Sequence, residues 1–321
     1  MKRVIITGGS GFLGSNLVRA FRRERIRTIS VDVKVPVFER PDEFILADVR
    51  DRAKIDRAIE LWKPDYVIHL AAISTIQGGL LNPNDTWQTN VEGTRSVMEA
   101  VADSPCRPKV IFCSTDKAYG IIHGTAKYTE DLPLRPLKDS PYDVSKAEAD
   151  SLVRSYKSRG VNAVVLRLCN IYGDYDTNDT RIVPANIRLM LSGKPGRLNK
   201  YHDASGEHNF YREMLHASDL CKAVISCINV MDTDAGAGML SGQAFNIGAP
   251  ECCSMEAVLT EIAEYLGCSL SPEVHSVTLG RELAVQALDI SKAKLCFSYS
   301  PSVRISEGIE RTVKWWRENY E

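Results

Sequence analysis

Tyr142 and Lys146 stand four residues apart in the run Tyr142-Asp143-Val144-Ser145-Lys146. On a helix this spacing puts a phenol and an ammonium on one face. A cation beside a phenol favours the phenolate and lowers its pKa toward a value useful to a general base near neutral pH. Taken alone, the pair fits a solvated helix face equally well. Upstream, Thr115-Asp116-Lys117 sets a hydroxyl, a carboxyl and an amine in consecutive positions. That set can polarise an oxygen, give a proton and take one, or it can be a turn with a surface ion pair.

The loop Thr7-Gly8-Gly9-Ser10-Gly11-Phe12-Leu13-Gly14 follows an apolar run and opens a stretch with apolar positions at Leu17, Val18 and Phe21. Gly8 permits a tight strand-to-helix turn, Gly11 lets the backbone approach a pyrophosphate, and Gly14 allows close helix packing. Asp32 ends the next apolar run, eighteen residues past Gly14. Its carboxylate can accept hydrogen bonds from the adenosine ribose and would repel a 2′-phosphate, so NAD is expected over NADP. Lys34 nearby works slightly against that preference. An ordinary glycine-rich turn explains the glycines but not the placement of Asp32.

Short β-branched runs supply the frame for these groups: Arg3 to Thr7, Arg27 to Asp32, Tyr66 to Leu70, Lys109 to Cys113 and Ala163 to Leu168. Near-continuous apolar runs of this length suit strands buried on both faces, with right-handed helical crossovers between them. The expectation is an α/β fold, a doubly wound parallel (Rossmann) sheet over residues 1–173. A smaller mixed α/β C-terminal domain over 174–321 is expected to hold the substrate, with some segments returning to the first domain. There the rhythm breaks into polar, Gly-rich segments such as Ser192 to Glu207, then helices near Ala217 to Met231, Ser254 to Leu266 and Ile305 to Tyr320. Trp315 and Trp316 on the last of these read as packing.

Composition narrows the class. Apolar residues are 44% and charged residues 25% of 321, as in ordinary globular proteins. A formal net charge of -1 with interspersed signs offers no basic field for nucleic acid. No apolar run approaches membrane-spanning length, and the first residues do not form a signal-peptide core. Nine cysteines without a Cys-x-x-Cys pair suggest neither a disulfide framework nor a zinc site, so no metal and a cytoplasmic location are expected.

The spacing Gly8-x-x-Gly11-x-x-Gly14 resembles the extended short-chain dehydrogenase/reductase family, in its NAD-dependent epimerase/dehydratase group. Asp48-Val49 resembles the family's adenine-contacting pair, and His69-Leu70-Ala71-Ala72 its fourth-strand cofactor segment. Asn90-Val91-Glu92-Gly93-Thr94 resembles its central-helix signature. The resemblance runs essentially end to end. It implies NAD held by Gly8, Gly11, Phe12, Leu13, Gly14, Asp32, Asp48, Val49, Leu70, Ala71, Ala72, Asn90, Tyr142 and Lys146. It also implies that Thr115 works with Tyr142 and Lys146 in catalysis. Thr115-Asp116-Lys117 resembles the Thr-Asp-Lys variant of the nucleotide-sugar 4,6-dehydratases, the group that includes CDP-glucose 4,6-dehydratase. On the substrate side, Asn170 and Arg212 match family contacts to the nucleotide diphosphate. Arg281 matches another, although the usual Gly-Asp after it is missing. The family further implies a homodimer built through the helices around Val91 to Val101 and Ala147 to Tyr156.

The reaction this implies begins with Tyr142 taking the C4 hydroxyl proton as hydride leaves C4, with Thr115 bonding the developing oxyanion. Lys117 then removes the C5 proton, Asp116 protonates the departing C6 hydroxyl, and hydride returns to C6. The product is a 4-keto-6-deoxy sugar nucleotide. A C4 epimerase or C4 oxidoreductase would use Thr115, Tyr142 and Lys146 and leave Asp116 and Lys117 auxiliary. A non-enzymatic NAD sensor would have no use for the catalytic set.

Overall fold

The computed structural model describes residues 1–122, 127–203, 205–277 and 283–320. Its strands are β1 (Arg3–Thr7), β2 (Arg27–Asp32), β3 (Glu43–Leu46), β4 (Tyr66–His69), β5 (Lys109–Thr115), β6 (Ala163–Leu168) and β7 (Asn170–Tyr172). They continue with β8 (Arg197–Asp203), β9 (Gly206–Asn209), β10 (Tyr211–His216), β11 (Ala244–Ile247), β12 (Cys252–Ser254), β13 (Glu273–Val277) and β14 (Val285–Gln286). The helices are α1 (Phe12–Arg23), α2 (Arg52–Trp62), α3 (Ile76–Leu81), α4 (Pro83–Trp87), α5 (Gly93–Asp103) and α6 (Pro141–Ser155). After these come α7 (Ile182–Leu191), α8 (Ala217–Met231), α9 (Asp234–Leu240), α10 (Met255–Leu266), α11 (Ser291–Phe297) and α12 (Ile305–Tyr320).

One parallel sheet runs in the order β11-β6-β5-β4-β1-β2-β3. Alternate residues of its strands face opposite sides, and both sides are apolar. Val4, Ile6, Ile68, Ile111 and Leu166 meet Leu17 and Phe21 of α1 and Val224 of α8. Ile5, Val67, Val110 and Val165 meet Ile59 of α2, Val97 of α5 and Val153 of α6. Each such wholly buried side chain contributes about 1.5–3 kcal/mol, which is why these runs commit to the middle of a sheet. The strand order reverses between β1 and β4, and ligands of open α/β sheets bind outside the carboxyl ends of strands at such a switch point.

The five runs read from sequence all become strands, with β4 ending one residue earlier, at His69, and β5 running two residues further, to Thr115. β3 has no counterpart in that reading. It is a short edge strand, its Leu46 is 59% exposed, and it carries none of the two-sided burial that marks the central strands. The polar stretch 192–207 also hides a strand, β8, in which Leu198 alone is buried.

In the later part of the chain, β12-β10-β14 form a small sheet, with β7 pairing to β10, and β13-β8-β9 form another. These pack with α7, α10 and α12 around a separate apolar cluster that contains Trp315 and Trp316, the packing role expected of both. β11 returns to the large sheet beside β6. A buried ion pair fastens α6 to that sheet: Arg167 of β6 donates to both oxygens of Asp150 at 2.9 Å and to the Tyr119 hydroxyl at 2.9 Å. Removing one partner of such a pair typically costs about 3–5 kcal/mol, so this knot fixes the helix that bears Tyr142 and Lys146.

Candidate active site

Gly8 adopts φ +72°, and a β-carbon there would lie 2.8 Å from the Ala71 nitrogen. A β-carbon on Gly14 would collide with the Gly9 and Gly8 backbone. Gly11, by contrast, would touch only the Gly8 oxygen, at 3.3 Å. Gly8 and Gly14 thus serve the loop's own packing, and Gly11 keeps the end of α1 open. α1 has neither a side-chain cap nor an acidic residue in its first turn. Its first N–H groups and the positive end of its dipole are therefore available to an anion.

Asp32 pins this loop to the end of β2. Its Oδ2 accepts from the Ser10 nitrogen and its Oδ1 from the Lys34 nitrogen, both at 3.0 Å. Each carboxylate oxygen retains acceptor capacity for a ribose hydroxyl. Ala47 donates to the Asp32 carbonyl, which brings Asp48 and Val49 to the same edge. Asp48 is chelated by Arg50, a side-chain hydrogen bond that holds its carboxyl below the usual range against the effect of burial. Val49 is buried and would strike any β-carbon at position 93. Phe12, Leu13, Leu70 and Ala72 line the main cleft, and Ala71 backs onto Gly8. This cradle fits the adenosine and pyrophosphate of NAD.

Asn90 is buried. Its carboxamide oxygen accepts from the Ile73 nitrogen at 2.8 Å, and its Nδ2 donates to the Ile73 oxygen at 3.0 Å and Ser145 Oγ at 2.9 Å. With these bonds made, its side chain fastens the segment after β4 to α6, inside a π-helical turn over Gln88–Glu92. The backbone of the same residue ends a buried polar chain. Thr94 Oγ1 donates to the Asn90 oxygen at 2.6 Å, so His69 Nε2, 2.9 Å from that hydroxyl, must be the donor. His69 Nδ1 then accepts from Thr7 Oγ1 at 2.6 Å. Burial, and to a lesser extent Lys146, pull the imidazole pKa down to about 3, which keeps it neutral in this role.

β5 ends at Thr115 and tightens into a 3-10 turn over Asp116–Tyr119, while Ser140 caps α6 and launches Tyr142. Thr115, Asp116, Lys117, Tyr142, Lys146, Asn170 and Arg212 all line one cleft of about 740 Å³. Arg281 lies outside the described residues. Thr115 donates to Asp116 Oδ1 at 3.3 Å, and its hydroxyl lowers the proton affinity of the Tyr142 phenol.

Burial pushes the Tyr142 phenol up to about 12, with Asp116 and Asp143 adding to the rise and Thr115 and Arg181 opposing it. The Lys146 ammonium donates to the Cys113 carbonyl at 2.6 Å and sits 4.2 Å over the Phe112 ring. Burial draws its own pKa down to about 8. Four-residue spacing puts two side chains on one face, but a buried ammonium takes the nearest strong acceptor, and here that is a backbone carbonyl.

Asp116 is 3% exposed, and burial raises its pKa against the opposing pull of Lys117, Thr115 and Arg212. It is a carboxyl biased toward holding a proton. Lys117 Nζ donates to Gln286 Oε1 at 2.9 Å. Arg212 donates to the Tyr211 carbonyl at 2.8 Å and lies over the Phe210 ring. Asn170 donates to the Glu213 carbonyl at 3.3 Å.

Sequence reasoning missed three residues of this site. Gln286 carries no motif, and only the parallel pairing of β14 with β10 brings it beside Arg212. Arg181, held by Asp176 at 2.8 Å and reaching Ser74 at 3.2 Å, lines the cleft and bears on Tyr142. Gly79 lets α3 press on Tyr142, since a β-carbon there would lie 2.9 Å from the Tyr142 nitrogen. Its only sequence signal was the Gly78-Gly79 pair.

The model of the NAD dependent epimerase/dehydratase family matches residues 4–248, and the chain belongs to that family. It is an NAD-dependent enzyme of the nucleotide-sugar dehydratase and epimerase type. It is similar to the dTDP-glucose 4,6-dehydratase of Neisseria meningitidis serogroup B, with 29% identity over 352 aligned positions covering 99% of this chain and 94% of that protein. The crystal structure of the dTDP-glucose 4,6-dehydratase from Streptomyces venezuelae, with NAD bound, superposes with a TM-score of 0.83 at 29% identity, covering 99% of this chain and 97% of that one. The UDP-glucose 4-epimerase of Thermotoga maritima, with UDP-glucose, gives a TM-score of 0.86 at 25% identity over 99% and 100% of the two chains. No helix among the described residues is long and apolar enough to cross a membrane.

Proposed function

We propose that the protein is a nucleotide-sugar 4,6-dehydratase. The carrying observation is that a buried carboxyl with raised proton affinity, Asp116, and an amine, Lys117, line the same cleft as Thr115, Tyr142 and Lys146. An epimerase has no step that needs this second acid and base.

The glycine loop and Asp32 hold NAD, which when bound takes the C4 hydride and gives it back at C6. Tyr142 accepts the C4 hydroxyl proton while Thr115 donates to the developing oxyanion. Lys117 removes the C5 proton, made acidic by the new ketone, and Asp116 donates to the C6 hydroxyl as it leaves. Lys117 returns a proton to C5. In balance, the proton taken by Tyr142 replaces the one spent by Asp116, and the Thr115 hydroxyl lies between the two. Arg212 and Asn170 orient the diphosphate. The homodimer implied by the resemblance uses the outer faces of α5 and α6, and sedimentation at micromolar concentration tests it.

The names of the relatives make dTDP-glucose the first substrate to try. Purified protein is incubated with NAD and a panel of dTDP-, CDP-, UDP- and GDP-hexoses, and products are read by mass for loss of one water. Lys117→Met should still oxidise C4 but stall before elimination, so that NADH accumulates on the enzyme. Elimination by Lys117→Met at the unaltered rate would remove Lys117 as the base. Epimer formation without water loss by the unaltered protein would favour the epimerase reading, for which the Thermotoga maritima structure speaks.

A further inference from the structure

The dehydration just proposed, on which this inference rests, requires two protons to be held at once. Asp116 must keep one for the leaving C6 hydroxyl. Lys117 must shed another before its nitrogen has a lone pair for the C5 proton. Asp116 cannot take the second without being unable to hold the first, so a further acceptor is needed near Lys117.

A second cavity, of about 30 Å³, adjoins Lys117 and is lined also by Asp143, Gln286, Gly120 and Leu137. Ile76, Ile121 and Leu283 close the rest of it, and the volume with three polar side chains suits one water. Asp143 is 1% exposed. It follows Tyr142 directly and, at the third position of α6, its nitrogen donates to Ser140 Oγ at 3.3 Å. The Ser140 hydroxyl also bears on the carboxyl and opposes the rise in its proton affinity. Oδ1 is wholly buried and has no hydrogen-bond partner among the described residues, a condition native structures rarely leave without a reason.

We infer that Asp143 is the proton acceptor for Lys117, acting through one water held in the small cavity. The Lys117 Nζ–H bond breaks and the nitrogen keeps the electron pair. The water oxygen takes that proton as one of its own passes to Asp143 Oδ1. An ammonium and a carboxylate become an amine and a carboxylic acid, with no change in total charge and nothing oxidised or reduced. Gln286 Oε1, which accepts from Nζ at 2.9 Å, holds the amine in place during the exchange. Burial pushes the Asp143 carboxyl up to about 6, with Asp116 and Asp139 adding to the rise and Ser140 and Lys117 opposing it. Such a group can hold a proton near neutrality. Asp143 does not touch the sugar, so it is a positioning residue.

Asp143→Asn keeps the size and the cap but cannot take a proton. The NAD-loaded, full-length variant is assayed with dTDP-, CDP- and UDP-glucose in deuterated water. NADH formation and KM should stay within about twofold of the unaltered enzyme, because Thr115, Tyr142 and Lys146 are untouched. C5 deuterium uptake and water loss should fall by about tenfold or more near pH 7 and recover as pH rises and hydroxide supplies the missing proton acceptor. Leu137→Phe, which fills the cavity and leaves both titratable groups, should give the same stall and guards against a folding defect in the first variant. Elimination by Asp143→Asn at the unaltered rate and pH profile would overturn the proposal. So would an equal fall in NADH formation and elimination, which marks a purely structural role. If the unaltered enzyme itself releases no dehydrated product, the dehydratase reading fails and takes this proposal with it.

Discussion

Lys146 donates to the carbonyl oxygen of Cys113 at 2.6 Å, two residues before Thr115. The bond ties α6 to β5, so the spacing between the Tyr142 phenol and the Thr115 hydroxyl is set by helix-to-sheet packing. Lys146→Met leaves that carbonyl without its donor, at a cost of about 1–3 kcal/mol, while relieving the burial of an ammonium. Melting temperature should therefore change little. C4 oxidation, followed as NADH formation in a single turnover, should fall by about 100-fold or more. A large drop in melting temperature with normal NADH formation would show that Lys146 serves only the fold.

Gly79 tests how tightly Tyr142 must be held. A β-carbon there would lie 2.9 Å from the Tyr142 nitrogen and 3.0 Å from its β-carbon, so either α3 or the start of α6 must shift. Displacing a reacting group by about 1 Å can cost about 100-fold in rate. Gly79→Ala should therefore lower kcat far more than it raises the Kd for NAD, measured by fluorescence titration. Unchanged kcat would mean that α3 yields without moving Tyr142.

Asp32→Ala should narrow the preference for NAD over NADP, because it removes both the ribose acceptor and the charge that repels a 2′-phosphate. It also frees the Ser10 and Lys34 nitrogens that Asp32 now holds, so absolute affinity for NAD should drop as well. Calorimetric titration with both cofactors reads the two effects. Equal affinity of the unaltered protein for NAD and NADP would contradict the ribose assignment.

Asp32 also shows what made this fold legible. β1, β2 and β6 begin and end where the apolar runs do, since two-sided burial leaves a continuous pattern, and the acid falls at a strand end by that pattern alone. The cleft-lining residues Thr115, Asp116, Lys117, Tyr142 and Lys146 were legible as a group because they are strung along one strand end and one helix. Gln286 was not. Its place beside Lys117 depends on a short strand pairing between segments about seventy residues apart, and nothing in its neighbours' periodicity announces it. The partner of Lys146 was hidden too, because a backbone carbonyl has no residue letter.

His69 gives a pH test of the polar chain. Its folded pKa of about 3 lies below the unfolded value near 6.5, so the unfolded chain binds more protons between those limits. The stabilisation from a neutral His69 is whole above about pH 6.5 and is lost as pH falls. Glu213 and Asp143, raised by burial to about 7 and about 6, act in the opposite direction, so the overall slope mixes these groups. The difference between the unaltered protein and His69→Gln isolates the histidine. Urea unfolding should show the variant's deficit shrinking from pH 7 to pH 5. A deficit independent of pH would mean that His69 is not buried as a neutral ring.

The path of one hydrogen tests the account most directly. dTDP-glucose, or whichever sugar nucleotide of the panel reacts, is prepared with deuterium on C4 and converted by the NAD-loaded enzyme, and the product is read by NMR and mass. Dehydration with the same cofactor returning its hydride puts that deuterium on the C6 methyl group of a 4-keto product that has lost one water. Deuterium still on C4 of a product with unchanged mass would contradict it and make the protein an epimerase.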